Sequence, residues 1–200
     1  MIRENLLEII DYNRALDFLK EGNKRFVEER PIKSTNIAEI RNLLAQKGQK
    51  PFAVVLSCSD SRVPPEIIFD VELGQIFVVR SAGNVADSIA IGSIEYAVDH
   101  LQSQLVVVLG HNKCGAVAAA ISGKDLGPNI GAIISEIEPS VEKSNPDPAD
   151  CLAKSEDENI KKTAAKLANS TILKQHLANG TLKIVNAKYC LESGKVDFFN

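Results

Sequence analysis

Two short segments of the 200-residue chain carry side chains that could bind a metal ion. The first contains Cys58, Asp60 and Arg62, and the second contains His111 and Cys114. Two thiolates and one imidazole form a ligand set that suits zinc, and the spacing of His111 and Cys114 fits one turn of the chain. Three protein ligands leave the fourth position of a tetrahedral zinc open, which is typical of a catalytic site. The sequence therefore predicts a catalytic zinc ion.

The other cysteines and histidines give weaker signals. No C-x-x-C pair occurs, and Cys151 and Cys190 are interpreted as small buried side chains. A site made of three histidines would use every histidine of the chain and would need His176 from a distant helix. Taken alone, the segment around Cys58 could be a polar turn, and His111 could be an ordinary loop histidine. Their joint position after two predicted strands favours the metal site.

Short strands rich in valine must position these two segments. Residues 52–56, 76–79 and 105–109 are nearly unbroken apolar runs, which is typical of strands buried on both faces of a parallel sheet. A helix is predicted over residues 87–100, and another begins near Cys114, so strands and helices alternate. Ligand sites of open α/β sheets lie at the carboxyl ends of the strands, where both segments fall.

The rest of the chain completes a single α/β domain. We expect a mainly parallel four-stranded sheet with an antiparallel C-terminal edge strand, flanked by helices. Residues 1–48 would form an N-terminal helical arm, which could also pack on another subunit, and residues 49–200 would form the zinc-binding core. The remaining predicted elements are two N-terminal helices, a short helix, a long amphipathic helix, a fourth strand and the edge strand, at residues 14–29, 34–46, 130–137, 156–177, 181–188 and 195–199.

Charge and hydropathy exclude several classes of function. The chain has 23 Lys and Arg against 26 Asp and Glu, a net charge of −3, which argues against nucleic-acid binding. Its apolar runs are too short for a membrane-spanning helix, so no membrane partner is expected. Residues 1–6 do not resemble a signal peptide, and a disulfide framework is not expected in such a chain. These features predict a cytoplasmic protein.

The motifs resemble those of the β-class carbonic anhydrases. Cys58-Ser59-Asp60-Ser61-Arg62, followed by His111-x-x-Cys114-Gly115, matches the family densely within residues 50–122. The resemblance implies zinc-dependent, reversible hydration of carbon dioxide to bicarbonate and a proton, with one Zn²⁺ per chain held by Cys58, His111 and Cys114. Further matching segments are Phe77-Val78-Val79-Arg80, Ala82-Gly83-Asn84, Gly92-Ser93-Ile94-Glu95-Tyr96-Ala97-Val98 and Ser193-Gly194-Lys195-Val196.

The resemblance also implies roles for residues beyond the zinc ligands. Asp60 would accept a hydrogen bond from the reacting solvent, and Arg62 would hold Asp60 in a bidentate ion pair. In the family, a glutamine, a phenylalanine and a tyrosine reach the zinc from the neighbouring subunit, which implies a homodimer or a tetramer. Phe77 could alternatively be a simple core residue. The implied substrate-binding residues are Gln49, Phe77, Tyr96 and Gly115.

Two features of the sequence bear on the subtype and on the substrate. Some members of the family close the site with the equivalent aspartate, and they carry an aromatic residue at the position of Val55. This chain, with Val55 and Gln49, resembles the constitutively open subtype. One alternative is hydrolysis of a carbon dioxide analogue, carbonyl sulfide or carbon disulfide, on the same zinc site. Another is a non-catalytic, zinc-stabilised interaction domain.

Overall fold

A five-stranded sheet forms the centre of the molecule. This computed structural model describes residues 6–32, 36–142 and 147–199. Residues 1–5 of the segment 1–6, which is predicted not to be a signal peptide, therefore lie outside the described residues. The strand order is β2-β1-β3-β4-β5, and all neighbours are parallel except β4 and β5, which are antiparallel. The predicted sheet is therefore confirmed. The strands are β1 (Ala53–Cys58), β2 (Ile76–Ser81), β3 (Leu105–His111), β4 (Lys183–Tyr189) and β5 (Val196–Phe199).

Helices cover both faces of this sheet. The central strands β1 and β3 are buried along their whole length, as their unbroken apolar sequences predict. None of the helices in the described part of the chain is long and apolar enough to cross a membrane. The helices are α1 (Tyr12–Val27), α2 (Ile37–Lys47), α3 (Pro65–Ile68), α4 (Ser88–Asp99), α5 (Gly115–Ser122), α6 (Pro128–Ile137), α7 (Pro148–Ala168) and α8 (Thr171–Ala178), with 3-10 turns at Ala82–Asn84 and Glu138–Ser140.

Helix α1 packs against the sheet of its own chain. Ala15 and Leu19 are fully buried there, and the rings of Phe18 and Phe52 meet edge to face at 5.6 Å. The buried Asn23 donates to the carbonyls of Ile68, at 3.2 Å, and Gly194, at 2.9 Å. These contacts join α1 to the segment after β1 and to the C-terminal hairpin.

The C-terminal helix predicted over residues 156–177 is wrong in its bounds. Two helices occupy this region, because Asn169 ends α7 and the hydroxyl of Ser170 accepts the amide of Leu173 as the cap of α8. Helix α7 also begins earlier, where the carboxylate of Asp147 caps it ahead of Pro148. The break lets α8 pack separately beside α4.

Candidate metal centre

Three buried side chains converge at the carboxyl edge of the sheet. Cys58 is the last residue of β1, His111 is the last residue of the neighbouring β3, and Cys114 precedes α5 as its N-cap. One ligand atom of each lies within 4.8 Å of the other two, and the side chains are buried. In the part of the chain that the structure describes, this is the one such group of three or more ligands. It contains neither His100 nor His176, so the described residues do not form a site made of three histidines.

The sulfur of Cys58 is surrounded by hydrogen-bond donors. The amide N–H of Asp60 lies at 3.4 Å and that of Gly83 at 3.3 Å from this sulfur. The thiol of Cys114 and these donors outweigh burial and lower the pKa of Cys58 to about 4. The same contact with Cys58, together with burial, raises the pKa of Cys114. Without a cation, the pair therefore holds one thiolate and one thiol.

The imidazole of His111 presents an unpaired nitrogen to this pair of sulfurs. Its Nδ1 lies 2.8 Å from the carbonyl oxygen of Asn112 and donates to it, which leaves the lone pair on Nε2. Nε2 is buried and has no hydrogen-bond partner among the described residues. A buried nitrogen without a partner is costly. The two cysteine sulfurs are soft ligands and the imidazole nitrogen is a borderline one, which suits zinc. Three protein ligands is also the number that a catalytic zinc takes, so the residues fit one zinc ion.

An ion-paired carboxylate lies beside the three ligands. Arg62 donates from Nε to Oδ1 of Asp60 at 2.9 Å and from a terminal nitrogen to Oδ2 at 2.8 Å. This guanidinium holds the pKa of Asp60 well below its usual range. Oδ2 of Asp60 lies 3.9 Å from Nε2 of His111. Arg80, to which the sequence analysis assigned no role, donates to the carbonyls of Cys58, at 3.2 Å, and Asp60, at 2.7 Å.

Helix α7 supplies two buried side chains that sequence reasoning missed. Oε1 of Glu156 accepts the amide N–H of Cys114 at 3.0 Å, and its Oε2 forms an ion pair with Lys188 at 3.0 Å. Asn159 donates to the carbonyl oxygen of Gly83 at 2.7 Å. The sequence signal was limited to the amphipathic pattern of the helix, since polar residues on such a helix normally face solvent.

The segment between the two C-terminal ligands is tied to the hairpin that ends the chain. Lys113 has a left-handed backbone, with φ of 56°, and its ammonium forms an ion pair with Glu192. The amide of Asn112 donates to Glu192 at 2.6 Å and accepts from the backbone of Leu191 at 2.8 Å. Lys113 and Asn112 lower the pKa of Glu192 to about 2. These contacts fix the path of the chain from His111 to Cys114.

Of the four implied substrate-binding residues, one lies next to the cluster. Gly115 follows Cys114 directly and is exposed. Gln49 is exposed and precedes the amino end of β1, and Phe77 pairs with Val54, four residues before Cys58 along the sheet. Tyr96 lies in the second half of α4, half exposed, with its ring 5.2 Å from that of His100. A single chain therefore does not bring these three residues to its own cysteines.

A three-ligand site at the carboxyl edge of an open α/β sheet, with a carboxylate held beside it, is the arrangement of a mononuclear zinc enzyme. A family model described as carbonic anhydrase matches residues 53–196. Carbonic anhydrase 2 of Mycobacterium tuberculosis is 44% identical over 182 residues, which cover 88% of this chain and 87% of that protein. A carbonic anhydrase of Mycolicibacterium smegmatis is 43% identical over 184 residues, covering 90% and 89%.

The solved structures agree with this match. A crystal structure of a β-carbonic anhydrase from Aspergillus fumigatus superimposes with a TM-score of 0.75 at 26% identity, covering 94% of this chain and 90% of that one. The chain belongs to the carbonic anhydrase family, in its β class.

Proposed function

We propose that this protein catalyses the reversible hydration of carbon dioxide to bicarbonate and a proton, with one zinc ion held by Cys58, His111 and Cys114. The observation that carries the proposal is the convergence of these three buried ligands within 4.8 Å. Zinc bound there would supply Lewis-acid activation of water at neutral pH. Three protein ligands would leave the fourth position of a tetrahedral zinc ion to solvent.

Asp60 and Arg62 are proposed to orient the reacting solvent. Because the ion pair with Arg62 lowers its pKa, Asp60 stays ionised and acts as a hydrogen-bond acceptor over the working pH range. The bidentate geometry fixes the plane of the carboxylate. Arg80 restrains the backbone of Asp60 by donating to its carbonyl oxygen. The carboxylate can therefore receive a proton-bearing group of the substrate or solvent in one orientation.

The pairing of Asp60 supports an open site. The bidentate pair supports this, because it holds both carboxylate oxygens of Asp60 on Arg62, at 2.9 and 2.8 Å. The absence of an aromatic side chain at Val55 agrees with this arrangement. We propose that the chain belongs to the constitutively open subtype.

A homodimer, alone or as half of a tetramer, is proposed as the working assembly. Gln49 and Tyr96 are exposed and lie away from the cysteines of their own chain, where a neighbouring subunit could use them. Large apolar side chains on the surface of the single chain also support a buried interface, since 60% of Ile67 and 53% of Leu73 are exposed. Gln49, Phe77 and Tyr96 would complete the cleft of the partner.

A cytoplasmic location is part of the proposal. All four cysteines lie in the described part of the chain and are free thiols. Free thiols persist in reducing compartments, whereas an oxidising one favours disulfides.

Two assays on one preparation test the proposed reaction. Stopped-flow measurement of carbon dioxide hydration, beside measurement of sulfide released from carbonyl sulfide and carbon disulfide, separates the proposed substrate from its analogues. We expect one zinc per chain, hydration of carbon dioxide and little sulfide release. The variant His111→Ala should lose both the zinc and the activity. Neither alternative is favoured, because relatives alike over most of the chain are carbonic anhydrases.

Bound zinc without hydration at any pH would contradict the proposal and would leave the non-catalytic interaction domain. Release of sulfide in preference to hydration of carbon dioxide would show that the protein hydrolyses carbonyl sulfide or carbon disulfide instead.

A further inference from the structure

Helix α7 lies outside the metal-binding motifs, but it forms hydrogen bonds to the backbone that positions Cys58 and Cys114. Glu156 and Asn159 are three residues apart on α7, so they lie on the same face of the helix. Glu156 is 3% exposed and Asn159 is 2% exposed. Because burying such polar groups is unfavourable without partners, their hydrogen bonds define where this face of α7 must sit.

The contact of Glu156 is made to the ligand segment itself. One carboxylate oxygen accepts the amide N–H of Cys114 at 3.0 Å. The other lies 3.0 Å from the ammonium of Lys188, a cation that also contacts Asp157 at 2.7 Å. Lys188 therefore neutralises the carboxylate, and the hydrogen bond to Cys114 fixes the start of α5.

The contact of Asn159 reaches the other cysteine through one residue. Its side-chain amide donates to the carbonyl oxygen of Gly83 at 2.7 Å, and the amide N–H of Gly83 lies 3.3 Å from the sulfur of Cys58. Gly83 has a left-handed backbone, with φ of 67°, which directs its two polar groups to these two partners. Asn159 thus fixes a donor to the Cys58 sulfur.

We propose that Glu156 and Asn159 are positioning residues that hold the two cysteines at the separation needed for one metal ion. The inference rests on the proposed function, since it takes Cys58 and Cys114 as ligands of a shared zinc. Partners of metal ligands orient those ligands, and their loss typically weakens metal binding about 10- to 100-fold. Helix α7 is thereby a part of the metal centre, although it contributes no ligand.

The rate of zinc release to a chelator tests this role. Glu156→Ala and Asn159→Asp remove the acceptor and the donor, and each should release zinc about 10- to 100-fold faster than the wild type. Glu156→Gln keeps an oxygen that can accept the Cys114 amide and should retain slow release. The matched control is Asp157→Asn, which alters a neighbouring contact of Lys188 but touches neither ligand segment.

Cobalt substitution gives a second readout. The thiolate-to-cobalt absorption bands should change in Glu156→Ala and Asn159→Asp and remain unchanged in Glu156→Gln and Asp157→Asn. Thermal unfolding of the metal-free proteins shows whether a variant is folded. Should Glu156→Ala fail to fold, Glu156→Gln and Asn159→Asp decide the question by the same criteria.

Wild-type rates of zinc release in Glu156→Ala and Asn159→Asp would overturn the proposal. Equal acceleration in Glu156→Gln and Asp157→Asn would also overturn it, since the effect would then be general destabilisation. A wild-type protein that binds zinc but does not hydrate carbon dioxide would refute the proposed function and leave this comparison of release rates valid.

Discussion

Asp60 follows Cys58 by two residues, but its carboxylate pairs with Arg62 and is not one of the three metal-binding side chains. Its oxygens accept three donors from Arg62, two from the guanidinium and one from the backbone amide at 2.9 Å. Arg62 therefore orients the carboxylate, and Oδ2, which accepts only one of these donors, keeps a lone pair for the reacting solvent. Metal retention and turnover should therefore depend on different residues.

Replacing Asp60 by alanine should leave zinc binding intact and lower turnover about 10- to 100-fold, the usual effect of losing a group that orients the contents of a metal site. Zinc content by metal analysis and hydration by stopped flow measure the two quantities. Arg62→Lys, which cannot form the bidentate pair, serves as the companion variant and should show a smaller loss of turnover. Turnover of Asp60→Ala equal to that of the wild type would remove the role of this pair.

The thiol pair gives the metal-free protein a distinctive pH dependence. Since Cys58 has a pKa of about 4 in the fold and an ordinary value near 9.0, the unfolded chain binds one more proton between these limits. The free energy of unfolding should therefore rise with pH from about 5 to about 6.5 and fall as the pH drops through about 4. Above about 6.5 His111 acts in the opposite direction, because its contact with Cys58 outweighs burial and raises its pKa. The raised pKa of Cys114 keeps that thiol protonated over the same range.

Chemical denaturation of the metal-free protein at several pH values checks this expectation, together with the ultraviolet absorbance of the thiolate. The pH dependence should be weaker in Cys58→Ser and unchanged in Cys151→Ser, a buried thiol elsewhere in the chain. An identical pH dependence in wild type and Cys58→Ser would contradict it.

The site residues that lie in one short motif could be predicted from the sequence. Those whose contacts join residues far apart in the sequence could not. Cys58 and Asp60 lie two residues apart, so their proximity is visible in the sequence. Glu156 lies 42 residues from Cys114, and Asn159 lies 76 residues from Gly83. Their contacts depend on how α7 packs over the sheet, which no pattern of polar residues encodes by itself.

At the scale of elements, burial decided which predictions agreed with the structure. The runs that became β1 and β3 are fully buried, and unbroken hydrophobicity identifies such strands well. The break between α7 and α8 was missed because the amphipathic pattern continues across it, whereas the Ser170 cap is a single local signal. The roles of β2 as an edge and of α1 as a cover of the sheet depend on topology.

The 3-10 turn after β2 requires glycine at position 83. A Cβ atom there would lie 2.6 Å from the side chain of Ile137 and 3.1 Å from Cβ of Ala116, and φ is +67°. Gly83→Ala should therefore destabilise the protein by about 2–5 kcal/mol, from overpacking and left-handed strain together. It should also speed zinc release, because the amide of Gly83 faces the sulfur of Cys58.

The matched control is Gly92→Ala on α4, where a Cβ atom would meet nothing within 4 Å. This variant should be neutral or more stable by about 0.5–1 kcal/mol, since alanine favours the helix. Thermal and chemical unfolding of both variants measure the difference. Equal stability of Gly83→Ala and Gly92→Ala would contradict the packing argument.

At the scale of the whole molecule, the proposed sharing of sites between subunits can be tested by complementation. One variant, His111→Ala, lacks a zinc ligand, and another, Gln49→Ala, lacks the residue proposed to act in the partner. A hybrid dimer of the two has one intact site. Its zinc ligands come from the Gln49→Ala chain, and its glutamine comes from the His111→Ala chain. Coexpressed at equal levels, the two should show about a quarter of wild-type activity.

The control pair is His111→Ala with Asp60→Ala. Both of these defects belong to the chain that holds the zinc site, so no hybrid contains an intact site and activity should not return. Hybrid dimers of the first pair that form but stay inactive would refute the sharing of sites. The sequence pattern alone could not place Gln49, Phe77 and Tyr96 relative to the cysteines, since only the fold shows on which edge of the sheet each one lies.

The hydrogen bonds around the two cysteines come from the polypeptide itself, since the amides of Asp60 and Gly83 face the sulfur of Cys58 and the amide of Cys114 donates to Glu156 of α7. Their arrangement needs no cation to neutralise it, because half of the thiol pair keeps its proton. We therefore expect the polypeptide to acquire its native shape first and its metal afterwards. Such an order would allow the protein to be emptied by chelation and reloaded repeatedly, unlike small domains whose folding waits for zinc.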